Sequence, residues 1–271
     1  GGVEMIEAYH DGTQVRPWRN MEVLGTALPW LPQKFATHSA YAQAGVAEIL
    51  GERASKATGL RTTWQQSTAF VNREGKFEVV ALPPEAQFTP VFGISITDFD
   101  NDGFQDVALG QNFFGLREHD GALDAGRGLL LRGSADGKLN AVPGWQSGLV
   151  AYGEQRGLAA ADFNHDGRMD LLMGQNGNQT KLWENRTGKG GIRLKLIGSP
   201  TNPDAYGARI EMDSGAAMEI RAGSGYWSQE AATKIIPAGT KSLKVRWPSG
   251  KSTTHPVPPN STELLLREAK L

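Results

Sequence analysis

Two stretches of the sequence, DFDNDGFQDVALGQN at 98–112 and DFNHDGRMDLLMGQN at 162–176, read almost alike. In each stretch, acidic or amide side chains alternate with other residues, a glycine follows the third of them, and an apolar run comes next. Carboxylates about 4 Å apart repel each other by roughly 4 kcal/mol at moderate dielectric, so such a cluster needs a counter-charge. The repeated pattern predicts a bound cation at each stretch and a fold that contains one structural unit twice.

The residue types in the two loops favour calcium as that cation. Oxygen-bearing side chains occupy positions 1, 3, 5 and 9 of each loop, and the glycine at position 6 permits a sharp turn. This spacing suits a hard cation with about six to eight oxygen ligands, and the backbone carbonyl at position 7 would complete the shell. The first predicted calcium site contains Asp98, Asp100, Asp102, Phe104 and Asp106. The second contains Asp162, Asn164, Asp166, Arg168 and Asp170, and it is expected to be weaker because Asn164 carries no charge.

The segments around the loops have the pattern of short β-strands. Neither loop has the glutamate that an EF-hand carries at position 12, so a strand rather than a helix is expected to follow. The segments 69–83, 129–143 and 181–195 each combine two apolar strands with a polar, glycine-containing turn, which predicts a β-hairpin. Because the loops start 64 residues apart, at Asp98 and Asp162, the repeated unit is interpreted as one blade of a β-propeller.

The sequence as a whole predicts a mainly β protein in three parts. Residues 1–62 form an N-terminal helical segment, with a main helix near 38–52 and a shorter one near 29–35. Residues 63–189 form a partial β-propeller of two to three blades, and 190–271 form a small β-sandwich because apolar and polar residues alternate there. An open set of blades exposes sheet edges, so we expect either that the helices cover one open face or that two copies associate through those edges.

Composition excludes several classes of protein. The chain has 271 residues with 28 basic and 29 acidic side chains, so no bulk charge favours binding to nucleic acid. The absence of cysteine excludes disulfides and thiolate metal sites, and no apolar run approaches the roughly 18 residues of a membrane span. The first residues carry no signal-peptide pattern, and the opening Gly-Gly is typical of a processed or trimmed start.

The loops and the C-terminal region resemble known families. FGISITDFDNDGFQDVALGQN and RGLAAADFNHDGRMDLLMGQN look like FG-GAP/VCBS repeats, the calcium-binding blades of integrin-like propellers. The segments NPDAYGARIEM, EIRAGSGYWSQ and VRWPSGK are similar to ASPIC/UnbV domains, which follow such repeats in cartilage acidic protein and in many large bacterial extracellular proteins. The resemblance covers about 69–265. It implies the C-terminal part of a larger extracellular or periplasmic protein, with the side chains at positions 1, 3, 5 and 9 of both loops as metal ligands.

Two further pairs of residues are candidates for a ligand site. Tyr226 and Trp227 could form an aromatic platform for sugar rings, or Trp227 could fill the sandwich core, as we expect for Trp247. Glu154 and Arg156 form either an ion pair between blades or part of a central pocket. That pocket would lie near 113–127 and 152–156 and would also contain His119 and Asp120.

Catalytic signatures are weak by comparison. The five histidines show no metal-ligand spacing, and His165, at position 4 of the second loop, is expected to face solvent. Ser224 lies between glycines but does not fit the G-x-S-x-G elbow of hydrolases. The sequence therefore favours a non-enzymatic, calcium-stabilised recognition or adhesion module that binds a protein or a glycan. The alternatives are an enzyme acting on carbohydrate or another surface polymer and a purely structural part of a larger secreted protein.

Overall fold

The fold is mainly β, as the sequence predicts. A computed structural model describes residues 4–116 and 121–269 of the chain. The chain divides into two compact units, residues 1–65 and 66–271. The described residues form 18 strands and five short α-helices. Within those same residues, no helix is long and apolar enough to cross a membrane.

The first unit consists of a β-hairpin followed by four short helices around a small apolar core. Its elements are β1 (Ala8–Asp11), β2 (Gln14–Pro17), α1 (Met21–Ala27), α2 (Leu31–Lys34), α3 (His38–Gln43), α4 (Val46–Leu50) and a 3₁₀ turn at Gly51–Lys56. Apolar side chains from all four helices and the connections between them pack together as Leu24, Leu31, Phe35, Tyr41, Ala44 and Ile49. Helices occupy the predicted segment from Met21 onward, with α2 at the place of the shorter predicted helix, whereas the hairpin at 8–17 was not predicted.

The main helix predicted near 38–52 is wrong in extent because two helices stand in its place. α3 ends at Gln43, the next two residues are extended with ψ angles of 139° and 161°, and α4 begins at Val46. A Cβ on Gly45 would lie 3.4 Å from the carbonyl oxygen of Val15 in β2, so the break lies where the hairpin packs. Tertiary packing against β2 thus accompanies the interruption of a segment whose local propensity favours one helix.

The second unit begins with three antiparallel sheets that follow one another along the chain. A two-stranded sheet contains β3 (Thr68–Arg73) and β4 (Lys76–Ala81), and a 3₁₀ turn at Pro84–Ala86 follows. A four-stranded meander contains β5 (Val91–Thr97), β6 (Asp106–Gln111), β7 (Leu129–Gly133) and β8 (Leu139–Val142), and α5 (Gly144–Ser147) follows it. A three-stranded meander contains β9 (Glu154–Ala161), β10 (Asp170–Asn176) and β11 (Lys181–Trp183). The hairpins predicted at 69–83 and 129–143 are confirmed, and the propeller interpretation of these sheets stays a prediction.

The third hairpin, predicted at 181–195, is wrong. β11 pairs with β10, whereas β12 (Ile192–Ile197) pairs with two strands of the C-terminal region. The chain leaves one sheet and joins another at Gly191, where an added Cβ would lie 2.5 Å from both the Ile235 side chain and the Ile236 carbonyl oxygen. Only glycine permits that close approach, so the glycines that resemble a hairpin turn serve a crossing between sheets.

The C-terminal region is formed by two sheets that share one apolar core. The first sheet has the order β15 (Lys234–Ile236), β12, β18 (Glu263–Arg267), with β12 and β18 parallel. The second has the order β14 (Ala217–Glu219), β13 (Arg209–Met212), β16 (Ser242–Arg246), β17 (Ser252–Pro256). Trp247 is buried among aliphatic side chains of both sheets, such as Leu194 and Val245, as the sequence predicts.

Close packing of β5 against β9 places the two acidic loops side by side. Ala108 of the first meander packs with Leu158, Ala160 and Met173 of the second in one apolar cluster. A Cβ on Gly93 would lie 2.4 Å from the carbonyl oxygen of Arg156. The two sheets therefore approach each other more closely than any larger residue at this position would allow.

Candidate functional site

The first acidic loop gathers three carboxylates at one point. One oxygen from each of Asp98, Asp100 and Asp106 lies within 4.8 Å of the other two. Asp98 and Asp106 are buried, and Asp100 is partly buried. The carboxylates converge although they all carry the same charge, an arrangement that a cation would stabilise.

Backbone N–H groups hold two of these carboxylates in place. Asp98 accepts hydrogen bonds from Asp102 N at 3.1 Å and Gly103 N at 2.8 Å. Asp106 accepts from Phe99 N at 2.9 Å and from Gly133 N at 2.8 Å. Gly103 has a φ of 98°, a conformation that side chains rarely adopt, which explains the glycine at position 6.

The electrostatics of the first loop leave negative charge uncompensated. Burial raises the pKa of Asp98 and of Asp106 to about 6, because desolvation outweighs the hydrogen bonds that each carboxylate accepts. Arg132 Nε lies 3.0 Å from Asp100 Oδ2, on the more exposed side of that carboxylate. Asp100 Oδ1 is buried and has no hydrogen-bond partner, so one oxygen of this carboxylate lacks a donor.

Asp102 and Phe104, the other two predicted ligands of the first site, lie at its exposed side. Asp102 is outside the group of three converging carboxylates, and its Oδ1 accepts a hydrogen bond from Phe104 N at 2.9 Å. The Phe104 side chain is exposed. The structure thus brings together three of the four predicted side-chain ligands, and Asp102 would have to turn to join them.

The second acidic loop repeats the hydrogen bonds of the first. Asp162 accepts from Asp166 N at 3.0 Å and Gly167 N at 3.2 Å, as Asp98 does from the matching residues. Asp170 accepts from Phe163 N at 3.0 Å and from Asn185 N at 2.7 Å. The repetition seen in the sequence is therefore a repetition of structure. His165, also in this loop, is exposed as predicted.

The charges in the second loop differ from those in the first. Arg193, on β12 of the sandwich, places Nε 2.8 Å from Oδ2 of the buried Asp162, as a charge contact without hydrogen-bond alignment. Arg168 pairs through Nη1 with Asp166 Oδ2 at 3.1 Å, and Asn164 donates to the same oxygen at 3.3 Å. Among the described residues, no group of three carboxylates converges in this loop. In the second loop, two arginines of the chain itself, Arg168 and Arg193, thus already neutralise part of the negative charge.

The two loops also contact each other through residues that the sequence analysis did not identify. Asn101 donates from Nδ2 to the Gly167 carbonyl at 3.2 Å, and Asn185 donates to the Phe99 carbonyl at 2.6 Å. Neither Asn185 nor Arg193 belongs to a recognisable motif, because each is brought to the loops by the course of the chain from β11 to β12. Because of these contacts, a change in the position of one loop should also affect the positions of the other loop and of β12 in the sandwich.

The aromatic candidates lie at the end of a row of four rings. The ring centroids are 5.8 Å apart for Phe113 and Phe92, 5.6 Å for Phe92 and Tyr226, and 6.2 Å for Tyr226 and Trp227. The Arg156 guanidinium lies 4.0 Å from the centroid of Phe92. Tyr226 is 42% and Trp227 89% exposed, so the reading of Trp227 as a core residue is wrong. The row connects two partly buried rings, Phe113 and Phe92, with a ring in solvent.

Glu154 and Arg156 form an ion pair within β9, and each also binds the backbone of the segment after β6. Arg156 Nη2 lies 2.5 Å from Glu154 Oε1, and Arg156 Nη1 donates to the Asn112 carbonyl at 3.0 Å. Phe114 N donates to Glu154 Oε1 at 2.8 Å, and Asn176 donates to Oε2. The Phe114 hydrogen bond, together with Asn176 and Arg156, holds the pKa of Glu154 below its ordinary value despite burial. Both oxygens are occupied. Because both residues lie on β9, the prediction of an ion pair between blades is wrong, and the contacts with the segment after β6 are hydrogen bonds to its backbone.

An open cleft of about 710 Å³ lies next to the aromatic pair. Its lining comes from β9, from β10 and the residues after it, and from the segment of the sandwich that contains Tyr226 and Trp227. Arg156 also reaches this cleft, whereas His119 and Asp120, predicted to share a pocket with it, lie outside the described residues. Ser224 Oγ accepts a hydrogen bond from Glu230 N at 2.7 Å and shapes the turn before the aromatic pair.

Comparison with known families supports the assignment of the C-terminal region. Residues 198–271 match the sequence model of the family described as ASPIC and UnbV. This match confirms the resemblance predicted for the end of the chain and covers most strands of the sandwich, including the residues that carry Tyr226 and Trp227. A comparison with curated proteins found no match.

Proposed function

We propose that this protein is a calcium-stabilised recognition module in which a partial β-propeller of FG-GAP/VCBS type is joined to an ASPIC/UnbV domain. Calcium fixes the geometry of the loops between strands, and the surfaces of the blades and the sandwich bind a protein or a glycan outside the cytoplasm. The metal has a structural role. It neutralises carboxylates that the fold has already brought together.

The observation that carries the proposal is the convergence of Asp98, Asp100 and Asp106 within 4.8 Å. Two features support a cation there rather than an acidic turn. The pKa of two of the carboxyls is raised to about 6 by burial, and the third has a buried oxygen without a donor. The donors are all hard oxygens, which favours calcium over zinc or copper.

The second loop is proposed as a weaker calcium site. Asn164 lowers its negative charge, and Arg193 lies where it competes with a cation for Asp162. Occupation of this site would require the guanidinium to move away from the carboxylate. The first site should therefore fill at lower calcium concentration than the second.

Isothermal titration of the ion-free chain with calcium tests the proposal. We expect one tight binding event, a second much weaker one, and little heat from magnesium at the same concentrations because magnesium requires stricter octahedral geometry. A titration without any calcium-specific heat would reject calcium as the bound ion. A tighter affinity for magnesium than for calcium would do the same.

A further inference from the structure

The segment Ser224–Ser228 packs its backbone against Gly157 of β9. In the same way, the backbone of β9 packs against Gly93 of β5. Gly93 of β5 and Gly157 of β9 are 64 residues apart, like Asp98 and Asp162, and occupy the same position in the repeat. A Cβ on Gly93 would meet the Arg156 carbonyl, whereas one on Gly157 would lie 3.3 Å from the carbonyls of both Tyr226 and Trp227. A further sheet stacked with the same geometry would collide with this segment. The cleft beside it is therefore suited to a smaller ligand than another β-sheet.

Trp227 has a strained backbone conformation, and its side chain is exposed to solvent. Its φ of 50° is a left-handed conformation that bulky residues rarely adopt, and its ring is 89% exposed. The bridge between Gly225 and Ser228 closes the turn that presents the ring. Strained non-glycine residues of this kind cluster at ligand sites, because the surrounding structure must maintain them.

The other end of the aromatic pair is fixed. Tyr226 packs against Phe92 at 5.6 Å, and Phe92 lies under the guanidinium of Arg156, which Glu154 holds in turn. A platform anchored in this way loses little conformational entropy when it binds a ligand. Tyr226 is thus fixed, and the exposed Trp227 ring beside it extends the apolar surface of the cleft lining.

The polar groups around this platform are mostly uncharged. Gln175, Asn176, Thr180 and Gln229 line the cleft with amides and a hydroxyl, and Arg156 is its only Lys, Arg, Asp or Glu side chain among the described residues. The charge of Arg156 is compensated by Glu154 at 2.5 Å. The three amides also donate within the protein, Gln175 to the Gln179 carbonyl, Asn176 to Glu154 and Gln229 to Tyr206 Oη. Each amide NH2 carries a second N–H, so the lining still offers donors and acceptors without a net charge.

We infer that this cleft binds a neutral glycan, with the apolar face of one sugar ring on the Trp227 indole and the sugar hydroxyls on the amides of the cleft. An aromatic surface beside uncharged hydrogen-bonding groups matches a pyranose, which has apolar C–H faces and a rim of hydroxyls. Among the described residues of the lining, an acidic sugar would find no cation other than Arg156, which is paired with Glu154. The inference rests on the proposed recognition function, which it narrows to one ligand class and one surface.

The test applies the full chain, with calcium present, to an array of neutral glycans, acidic glycans and unmodified peptides. Titration calorimetry of the neutral hits then measures affinity for the wild type and for Trp227→Gly. Glycine removes the indole and suits a φ of 50°, so this variant should fold as the wild type does. Trp145→Ala is the matched control, since Trp145 is 82% exposed on α5 and does not line the cleft.

The inference predicts binding of neutral glycans, quenching of tryptophan fluorescence, and at least about tenfold weaker binding in Trp227→Gly but not in Trp145→Ala. Signals confined to acidic glycans or peptides, an array without neutral hits, or unchanged affinity in Trp227→Gly would overturn it. Calcium titration of the wild type separates the two proposals. A wild type that binds calcium but no neutral glycan rejects only the cleft, and a wild type that binds no calcium rejects the calcium proposal itself.

Discussion

At the scale of single residues, the capacity of the first acidic loop to bind a cation depends on how many carboxylates converge there and on which groups compensate their charge. Asp98 and Asp106 are fixed by backbone N–H groups, while Asp100 keeps a buried oxygen without a donor. The equivalent position in the second loop is Asn164, and Arg193 supplies a positive charge to Asp162. The two loops therefore have the same hydrogen bonds and different electrostatics.

Replacing Asp100 by Asn should weaken calcium binding by at least about tenfold, because it removes one of three converging charges at almost constant shape. Titration calorimetry of Asp100→Asn measures this change. Asp136→Asn is the control, since Asp136 lies in an exposed turn of the same sheet, where Ser134 and Lys138 bind it. Equal calcium affinity in Asp100→Asn and the wild type would remove Asp100 from the site.

The stabilisation by calcium should depend on pH. Asp98 and Asp106 have a folded-state pKa of about 6, above the ordinary 3.8. Their contribution to the stability of the ion-free protein is therefore fully present below about pH 4 and is lost as the pH rises through about 6. Calcium binds the charged form and compensates for that loss.

We accordingly expect the rise in Tm on adding calcium to be larger at about pH 7.5 than at about pH 5. Thermal unfolding in calcium-free and calcium-containing buffer at each pH isolates this difference, because other titrating groups contribute equally to both. A rise in Tm of the same size at both pH values would count against Asp98 and Asp106 as ligands.

At the scale of elements, the sequence predicted best where local pattern and final packing agree. The strands after both loops, the hairpins at 69–83 and 129–143, and the alternating strands of the sandwich all follow from period-two patterns and turn residues. The predicted hairpin at 181–195 failed because the glycines there serve a crossing to another sheet. Arg193 reaches Asp162 from outside both loops, so no local motif could predict that contact.

The close packing of β5 on β9 predicts that Gly93→Ala lowers the free energy of unfolding substantially. A Cβ there would lie 2.4 Å from the Arg156 carbonyl, so the sheets must separate, at a cost of about 1–3 kcal/mol or more. Urea unfolding followed by circular dichroism measures the free energy of unfolding. Gly239→Ala is the matched control, because its added Cβ would meet nothing within 4 Å. Equal stability of the two variants would contradict the described packing.

At the scale of the whole second unit, the acidic loops connect the two meanders and the sandwich. Asn101 binds the Gly167 carbonyl of the second loop, and Arg193 ties that loop to β12. The aromatic segment of the sandwich covers Gly157 on β9. Ordering of the loops by calcium should therefore stabilise this unit as one cooperative structure rather than one loop alone.

Replacing Arg193 by Gln should destabilise the ion-free protein by roughly 3–5 kcal/mol, because it leaves the buried Asp162 without its positive partner. The same change should strengthen calcium binding at the second loop, since the competing cation is gone. Arg209→Gln is the control, as its pair with Glu211 is exposed and worth at most about 1 kcal/mol. Unfolding curves with and without calcium would contradict the account if Arg193→Gln behaved like Arg209→Gln in both.

The most direct test of the central claim is the Tm of the wild-type chain in saturating calcium and in excess chelator at neutral pH. At a calcium concentration 100 times the Kd, binding to the folded state contributes about 2.7 kcal/mol, which corresponds to a rise in Tm of roughly 5–10 °C for a unit of this size. The account predicts a rise of that order, strongly reduced in Asp100→Asn. The same Tm in calcium and in chelator would contradict it, and the paired loops would then be acidic turns held by hydrogen bonds alone.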